Sequence, residues 1–153
     1  MKLAEALILR ADLQKRAAQL EERIARNILV QEGEAPGEDP AALLAEFAGV
    51  ADALEALLPR IHRANLGAAL PNSQTLTEAL TRRDVLDLRL KVLRRAATTA
   101  SDRQTRYSNS EVRIVPVLSA RDLQAPVDLL SKERRELETL IQQANWQTDL
   151  PES

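Results

Sequence analysis

Three arginines occupy positions that should face inward in helical segments of this chain. Arg10, Arg83 and Arg134 each interrupt a run of apolar residues spaced alternately three and four apart, as between Leu130 and Leu137. That spacing is typical of helices that pack along a common apolar seam, and a charge in such a seam is costly unless it is paired. The arginines could hold an anionic ligand. The spacing favours the alternative, in which each extends its guanidinium to solvent or pairs with a carboxylate on a neighbour, such as Asp84, Asp87 or Glu138.

A second candidate site combines a histidine with an asparagine one helical turn away. His62 is the only histidine of the chain, and Asn65 lies three residues further on, on the same face of a helix. One histidine without cysteine is a poor metal site, and a general base needs a pocket and a substrate. We therefore expect His62 and Asn65 to be polar residues near a helix end, without a catalytic or metal-binding role.

The acidic residues between Glu32 and Asp39 resemble a cation site only loosely. A calcium-binding loop has a fixed 12-residue ligand spacing with a central glycine, and that spacing is absent here. The phosphate-binding, dinucleotide-binding, zinc-protease and serine-hydrolase motifs are absent as well. The sequence thus predicts no catalytic residues, no metal and no cofactor, and it does not indicate an enzyme.

The composition indicates a helical domain without deep ligand pockets. The chain has 153 residues, of which 44% are hydrophobic and only 2% aromatic, so we predict one domain over residues 1–153 with an aliphatic core. Cysteine is absent, which excludes disulfides and thiolate metal sites. The first residues mix acidic and basic side chains, unlike a signal peptide, and no segment contains the roughly 20 apolar residues of a spanning helix. We expect a cytoplasmic protein that does not enter membranes.

The charges are distributed by segment. Residues 32–58 contain seven acidic and no basic side chains, whereas residues 59–106 contain ten basic and four acidic ones. The basic segment could face nucleic acid, but the chain has almost no aromatic residues for base stacking, and its net charge is −2. We expect no nucleic-acid partner, because an acidic second helix beside a basic third helix accounts for these charges.

The elements that must position these residues are four long helices. Glycine and proline mark the breaks between them, while Pro59 and Pro126 should kink or interrupt the helices that contain them. The predicted fold is an elongated, antiparallel all-α bundle with coiled-coil-like seams. The helices should run from Lys2 to about Gln31, from Asp39-Pro40 to the turn at Gly67–Ser73, from the Thr75 cap to about Arg103, and from the Ser119 cap to about Asn145.

The third helix and the segment before the fourth predict self-association. Val85, Leu88 and Val92 form an apolar stripe in addition to the seam of the third helix, and a helix that is apolar on two faces contacts neighbours on both sides. Glu111–Leu118 is rich in β-branched residues and is the only strand candidate. A single strand is not stable alone. It is therefore either merely extended or paired with its own copy across a twofold axis. The second possibility predicts a homo-oligomer, most simply a dimer.

Short motifs along the chain resemble a known family. They are Val30–Glu34 after the first helix, Arg106–Ser108 and Ser110–Glu111 before the strand candidate, and Asn145–Trp146 near the end. With the order of the helices, these motifs resemble a family of small bacterial helical proteins, some of which carry the name septicolysin. The resemblance implies a small helical fold, the name would imply a cytolysin, and no catalytic residue is carried over.

Three functional hypotheses follow. The helix-packing pattern favours a self-associating structural or protein-interaction module. A septicolysin-like pore-former is the first alternative, and it requires membrane binding. A ligand- or metal-binding module is the second alternative, and it requires a polar site inside the bundle.

Overall fold

A computed structural model of the chain describes residues 1–102 and 114–152. These residues form an all-α helical bundle, as the sequence predicts. They contain no β-sheet, and an isolated β-bridge pairs Lys2 with Asp149. The four helices are α1 (Leu3–Asn27), α2 (Pro40–Gly67), α3 (Leu76–Ser101) and α4 (Ala120–Gln147).

Two helices begin at the predicted capping residues Asp39 and Ser119. The Asp39 carboxylate accepts a hydrogen bond from the backbone N–H of Ala41 at 3.0 Å, and Pro40 occupies the first turn of α2. The Ser119 hydroxyl accepts from the backbone N–H of Asp122 at 3.1 Å. Each cap satisfies a backbone donor that has no partner within its helix.

The start of α3 is a reciprocal cap of the predicted kind. The Thr75 hydroxyl accepts from the Glu78 backbone N–H at 3.2 Å, and the Glu78 carboxylate accepts from the Thr75 backbone N–H at 2.7 Å. These bonds hold the pKa of Glu78 below its ordinary value, the backbone hydrogen bond from Thr75 being the main cause.

Helix α1 ends four residues earlier than the predicted Gln31, because a side chain at its end binds the following loop. The Asn27 side chain donates to the Arg23 carbonyl at 2.8 Å and accepts from the Glu38 backbone N–H at 2.9 Å. A turn closed by the Glu34 N–H and the Gln31 carbonyl follows, at 3.0 Å. The chain therefore leaves the helical direction at Asn27.

Both prolines lie inside continuous helices. Pro59 lies within α2, which runs on to Gly67, and Pro126 lies within α4. The possible interruption of the second helix at Pro59 is therefore not found. Burial of Leu57 and Ile61 on either side of Pro59 offsets the loss of one backbone hydrogen bond.

The chain divides into two compact units. Unit 1 contains residues 1–69 and 142–153, and unit 2 contains residues 70–141. In unit 1, α1 packs against α2 around the buried side chains of Leu20, Leu43 and Val50. Arg16 pairs with Glu46 whereas the later Arg23 pairs with the earlier Glu38, so the two helices are antiparallel.

Residues 1–3 and 147–151 pair within unit 1, and we call them the terminal clasp. The Leu3 N–H donates to the Thr148 carbonyl, and the Leu150 N–H donates to the Met1 carbonyl, each at 2.9 Å. The side chains of Leu3 and Leu150 are buried. The clasp therefore combines backbone pairing with apolar burial.

Ionic contacts surround the clasp. Lys2 Nζ lies 2.7 Å from the Asp149 carboxylate, and its hydrogen bond holds the pKa of Asp149 below the ordinary value. Arg60 Nε donates to the Pro151 carbonyl at 2.8 Å. The Lys2–Asp149 pair is exposed, so we expect it to contribute little to stability.

In unit 2, side chains of α3 and α4 bond to each other. Arg82 pairs with Glu133, and Arg134 pairs with Asp87. The buried apolar side chains of α3 lie on the predicted seam face, and those of α4 that belong to unit 2 lie on its seam face also. They are Leu76, Ala79, Leu86 and Leu90 on α3, and Val127, Leu137 and Ile141 on α4.

The strand candidate Glu111–Leu118 is described only in part. Residues 111–113 lie outside the described residues. Ile114–Leu118 has no strand pairing, and its four apolar side chains are exposed.

Candidate interaction surface

Arg134 is held by two carboxylates in unit 2. Its Nε lies 2.9 Å from the Asp87 carboxylate on α3, and its Nη1 lies 2.7 Å from the Glu138 carboxylate one turn along α4. The hydrogen bond from Arg134 holds the pKa of Asp87 below its ordinary value. The Arg134 side chain is 28% exposed, so it lies at the edge of the α3–α4 contact.

We expect Arg134→Ala to lower the free energy of unfolding by about 1 to 2 kcal/mol, because charged hydrogen bonds are lost at a partly exposed site. A fully buried pair would lose about 3 kcal/mol or more. Thermal melts followed by circular dichroism measure the change. Arg135→Ala is the control, because Arg135 is exposed. Identical melting temperatures for the two variants would contradict a stabilising role of the ion pairs.

The other two candidate arginines differ from Arg134. Arg83 pairs with Asp84, its neighbour in the sequence, at 3.0 Å. The positive charges of Arg83 and Arg94 add to the effect of Arg134 in lowering the pKa of Asp87. Arg10 lies on α1 in unit 1, and its Nε is buried with no hydrogen-bond partner among the residues that the structure describes.

His62 and Asn65 lie near the end of α2. His62 is exposed and Asn65 is half-buried. In residues 1–102 and 114–152, no group of three or more histidine, aspartate and glutamate side chains is placed to hold a metal ion.

An open, charged groove lies along α1 in unit 1. Its arginines, Arg16 and Arg23, already pair with Glu46 and Glu38. The hydrogen bond from Arg23 holds the pKa of Glu38 below its ordinary value. The guanidinium groups of this groove are therefore engaged in holding α1 to the start of α2.

The outer face of α3 carries an uncovered apolar stripe. The exposed fractions of Val85, Leu88 and Val92 are 42%, 60% and 60%. At 100° per residue these side chains lie opposite Leu86 and Leu90, which are buried on the other face. We call Val85, Leu88 and Val92 the α3 stripe. It is the second apolar face that the sequence predicts for this helix.

Unpaired cations flank the α3 stripe. Arg89 lies along one edge, and Lys91 and Arg95 lie along the other, all of them exposed. None of the three forms an ion pair within the described part of the chain. By contrast, Arg82 and Arg94 donate to side chains of α4. Arg82 and Arg94 thus hold α4, Arg83 pairs within α3, and the other three basic residues of the helix remain beside the stripe.

A second exposed apolar surface follows α1. Ile28, Leu29 and Val30 are 55%, 84% and 49% exposed. Glu32 and Glu34 come next, and both are exposed. We call residues 28–34 the α1 end segment. The sequence did not indicate this surface, because residues 28–31 were predicted to continue the first helix.

The loop that contains this segment is closed by hydrogen bonds of Asn27. Asn27 bonds both to the last turn of α1 and to the backbone at Glu38. Gly33 has a φ of 89° in the intervening turn, a conformation that glycine adopts without strain. The exposed apolar side chains are therefore presented by a short, anchored loop.

Comparisons with other proteins identify a family of small all-helical proteins. Residues 10–150 match a family described as a family of unknown function (DUF6847). The chain belongs to this family. The expected resemblance to a small helical family is thereby confirmed, and the description of the family does not mention a cytolysin.

A solved structure has the same fold. The crystal structure of a functionally unknown conserved protein from Corynebacterium diphtheriae superimposes with a TM-score of 0.91. The two sequences are 36% identical, and the match covers 99% of each chain. No curated protein shows significant similarity to the chain.

A helix that spans a membrane must be both long and apolar. Across residues 1–102 and 114–152, none of the helices has both the length and the apolar character that crossing a bilayer requires.

Proposed function

We propose that the protein is a self-associating helical module that acts through protein–protein contacts. The observation that carries this proposal is the α3 stripe. Three branched aliphatic side chains lie on one face of a helix with steps of three and four residues, and each is at least two-fifths exposed. Burying such a stripe against another helix or loop is favourable because apolar surface leaves water.

Helix α3 is already anchored on its other face. Leu86 and Leu90 are buried there, and Arg82 bonds to α4. The outer face can therefore bind another chain without breaking contacts of unit 2. A rigid helix also presents its side chains at a small entropic cost.

The segment before α4 offers a second contact for self-association. Ile114, Val115, Val117 and Leu118 are exposed, and pairing of this segment with its own copy was the mode expected from the sequence. Pro116 removes one backbone donor. The two modes can be distinguished, because a proline at position 114 disturbs only strand pairing.

We expect the wild-type chain to sediment at more than its monomer mass of 17.0 kDa at micromolar concentration. Leu88→Lys should shift it toward monomer, because it places a charge in the buried contact. Leu129→Lys is the control, since Leu129 is also exposed but lies on α4. Sedimentation velocity measures each species.

Two other results would contradict self-association or the α3 stripe as its contact. A wild-type monomer at the highest soluble concentration would disprove self-association. If Leu88→Lys leaves the oligomer intact while Ile114→Pro produces monomer, strand pairing is the correct mode and the α3 stripe is not the contact.

A further inference from the structure

The charges beside the α3 stripe restrict the kind of surface that can bind it. Arg89, Lys91 and Arg95 are exposed and unpaired within the described ranges. Asp84 lies on the same edge as Lys91, but Arg83 already binds it at 3.0 Å. A second α3 stripe packed on the first would bring six cations together, and like charges across a contact oppose association. The surface that covers the stripe should therefore be apolar and acidic.

The chain itself exposes such a surface in unit 1. Ile28, Leu29 and Val30 supply three exposed apolar side chains, and Glu32 and Glu34 follow them. Neither glutamate forms an ion pair in the portion of the chain covered by the structure. The α1 end segment therefore combines three exposed apolar side chains with unpaired carboxylates, and the α3 stripe combines three exposed apolar side chains with unpaired cations. The two surfaces are complementary in charge.

We propose that the α3 stripe of one copy binds the α1 end segment of a second copy. This inference depends on the self-association proposed above and specifies its contact. The apolar side chains of the two surfaces pack together. Glu32 and Glu34 lie beside Arg89 and Lys91, where opposite charges orient the encounter and disfavour the reverse pairing.

The α1 end segment is suited to this contact because it is held in position before binding. The Asn27 side chain and the Arg23–Glu38 ion pair close the loop between residues 27 and 38, which contains this segment. An anchored loop loses less conformational freedom on association than a free one. The contact therefore needs no ordering step at this segment.

The contact joins two different surfaces. Every copy carries both surfaces. Two copies can bind reciprocally through two equivalent contacts, or successive copies can bind in a chain. Either arrangement uses the same pair of surfaces.

Charge reversal on each side tests the proposal. The first variant carries Glu32→Lys and Glu34→Lys, and the second carries Arg89→Glu and Lys91→Glu. Each variant alone brings like charges together at the contact, so we expect its self-association to weaken about tenfold or more. In an equal mixture, the two variants can bind each other through opposite charges. The unchanged α1 end segment of the second variant meets the unchanged α3 stripe of the first, and the two charge-reversed surfaces meet each other. We expect the mixture to form a mixed complex with at least the wild-type affinity.

Native mass spectrometry of the mixture, with one variant isotopically labelled, reports the composition of the complex. Asp52→Lys with Glu55→Lys is the matched control. Both residues are exposed on α2, and the change in net charge equals that of the first variant. This control should associate like the wild type. Circular dichroism checks that every variant is folded.

Failure of the proposed function and failure of the proposed contact give different results. If the wild type is a monomer, the proposed function fails. If the wild type associates and the Glu32→Lys, Glu34→Lys variant associates equally well, the α1 end segment is not the contact. If both variants become monomers but their mixture forms no mixed complex, the two surfaces do not bind each other.

Discussion

We expect Leu20→Ala to lower the free energy of unfolding by about 3 kcal/mol. Leu20 is completely buried where α1 meets α2, next to Leu43 and Val50. Removing the methine carbon and the two methyl carbons of Leu20 leaves a cavity between two long helices. Their backbones are held along their length and cannot close it fully.

Denaturant unfolding measures this loss. Trp146 is the only tryptophan and belongs to unit 1, so its fluorescence reports on the unit that contains Leu20. Ile8→Ala is the control, because Ile8 lies on the same helix but is mostly exposed. A loss for Leu20→Ala no larger than that for Ile8→Ala would contradict the packing of α1 on α2.

The second large effect concerns the terminal clasp. We expect Leu150→Ala to lower the free energy of unfolding by about 2 kcal/mol, because a buried leucine side chain is truncated near a chain end, where the structure can partly collapse. Leu150 is buried and its backbone N–H bonds to Met1. The same fluorescence measurement applies, since this residue belongs to unit 1.

Asp149→Ala separates apolar burial from ion pairing in the clasp. Asp149 pairs with Lys2 but is largely exposed, so solvent screens the interaction and the expected loss is much smaller. The pKa of Asp149 lies below its ordinary value, so its stabilising contribution is present at neutral pH and is lost as the pH falls through the folded-state pKa. A larger effect for Asp149→Ala than for Leu150→Ala at neutral pH would show that the clasp is mainly ionic.

Local rules in the sequence predicted much of the helical architecture. Asp39, Thr75 and Ser119 are capping residues in the structure, because a cap depends on groups only a few residues apart. The spacing of apolar residues also predicted the second apolar face of α3, and Val85 and Leu88 are exposed on that face. Whether an apolar face is covered depends on the tertiary arrangement, so its exposure required the structure.

Features formed by distant residues were not predictable in the same way. The end of α1 depends on the contact between Asn27 and the backbone at Glu38, which periodicity does not encode. The pairing of Leu3 with Thr148 joins residues at opposite ends of the sequence, and no local motif marks it. Both features involve backbone hydrogen bonds whose partners are set by how the helices pack.

The candidate arginines show the same division. Their positions in the seams followed from spacing, and the sequence offered Asp84, Asp87 and Glu138 as candidate partners without assigning one to each arginine. Arg134 bonds to Asp87 on another helix, whereas Arg83 bonds to its neighbour Asp84. An arginine side chain is long enough to reach several carboxylates, so sequence alone left the choice open.

The discontinuous sequence of unit 1 has a consequence for how the protein is made. Residues 1–69 leave the ribosome first, and α1 and α2 can then pair through contacts that are close in sequence. Residues 142–153, which supply the rest of the unit, are translated only after all of unit 2. During synthesis, the backbone N–H of Leu3 therefore stays without its partner until Thr148 has been made. Contacts between residues so far apart in sequence also form late and slowly in refolding. This interval of synthesis is when a chaperone would have the best access to the start of the chain.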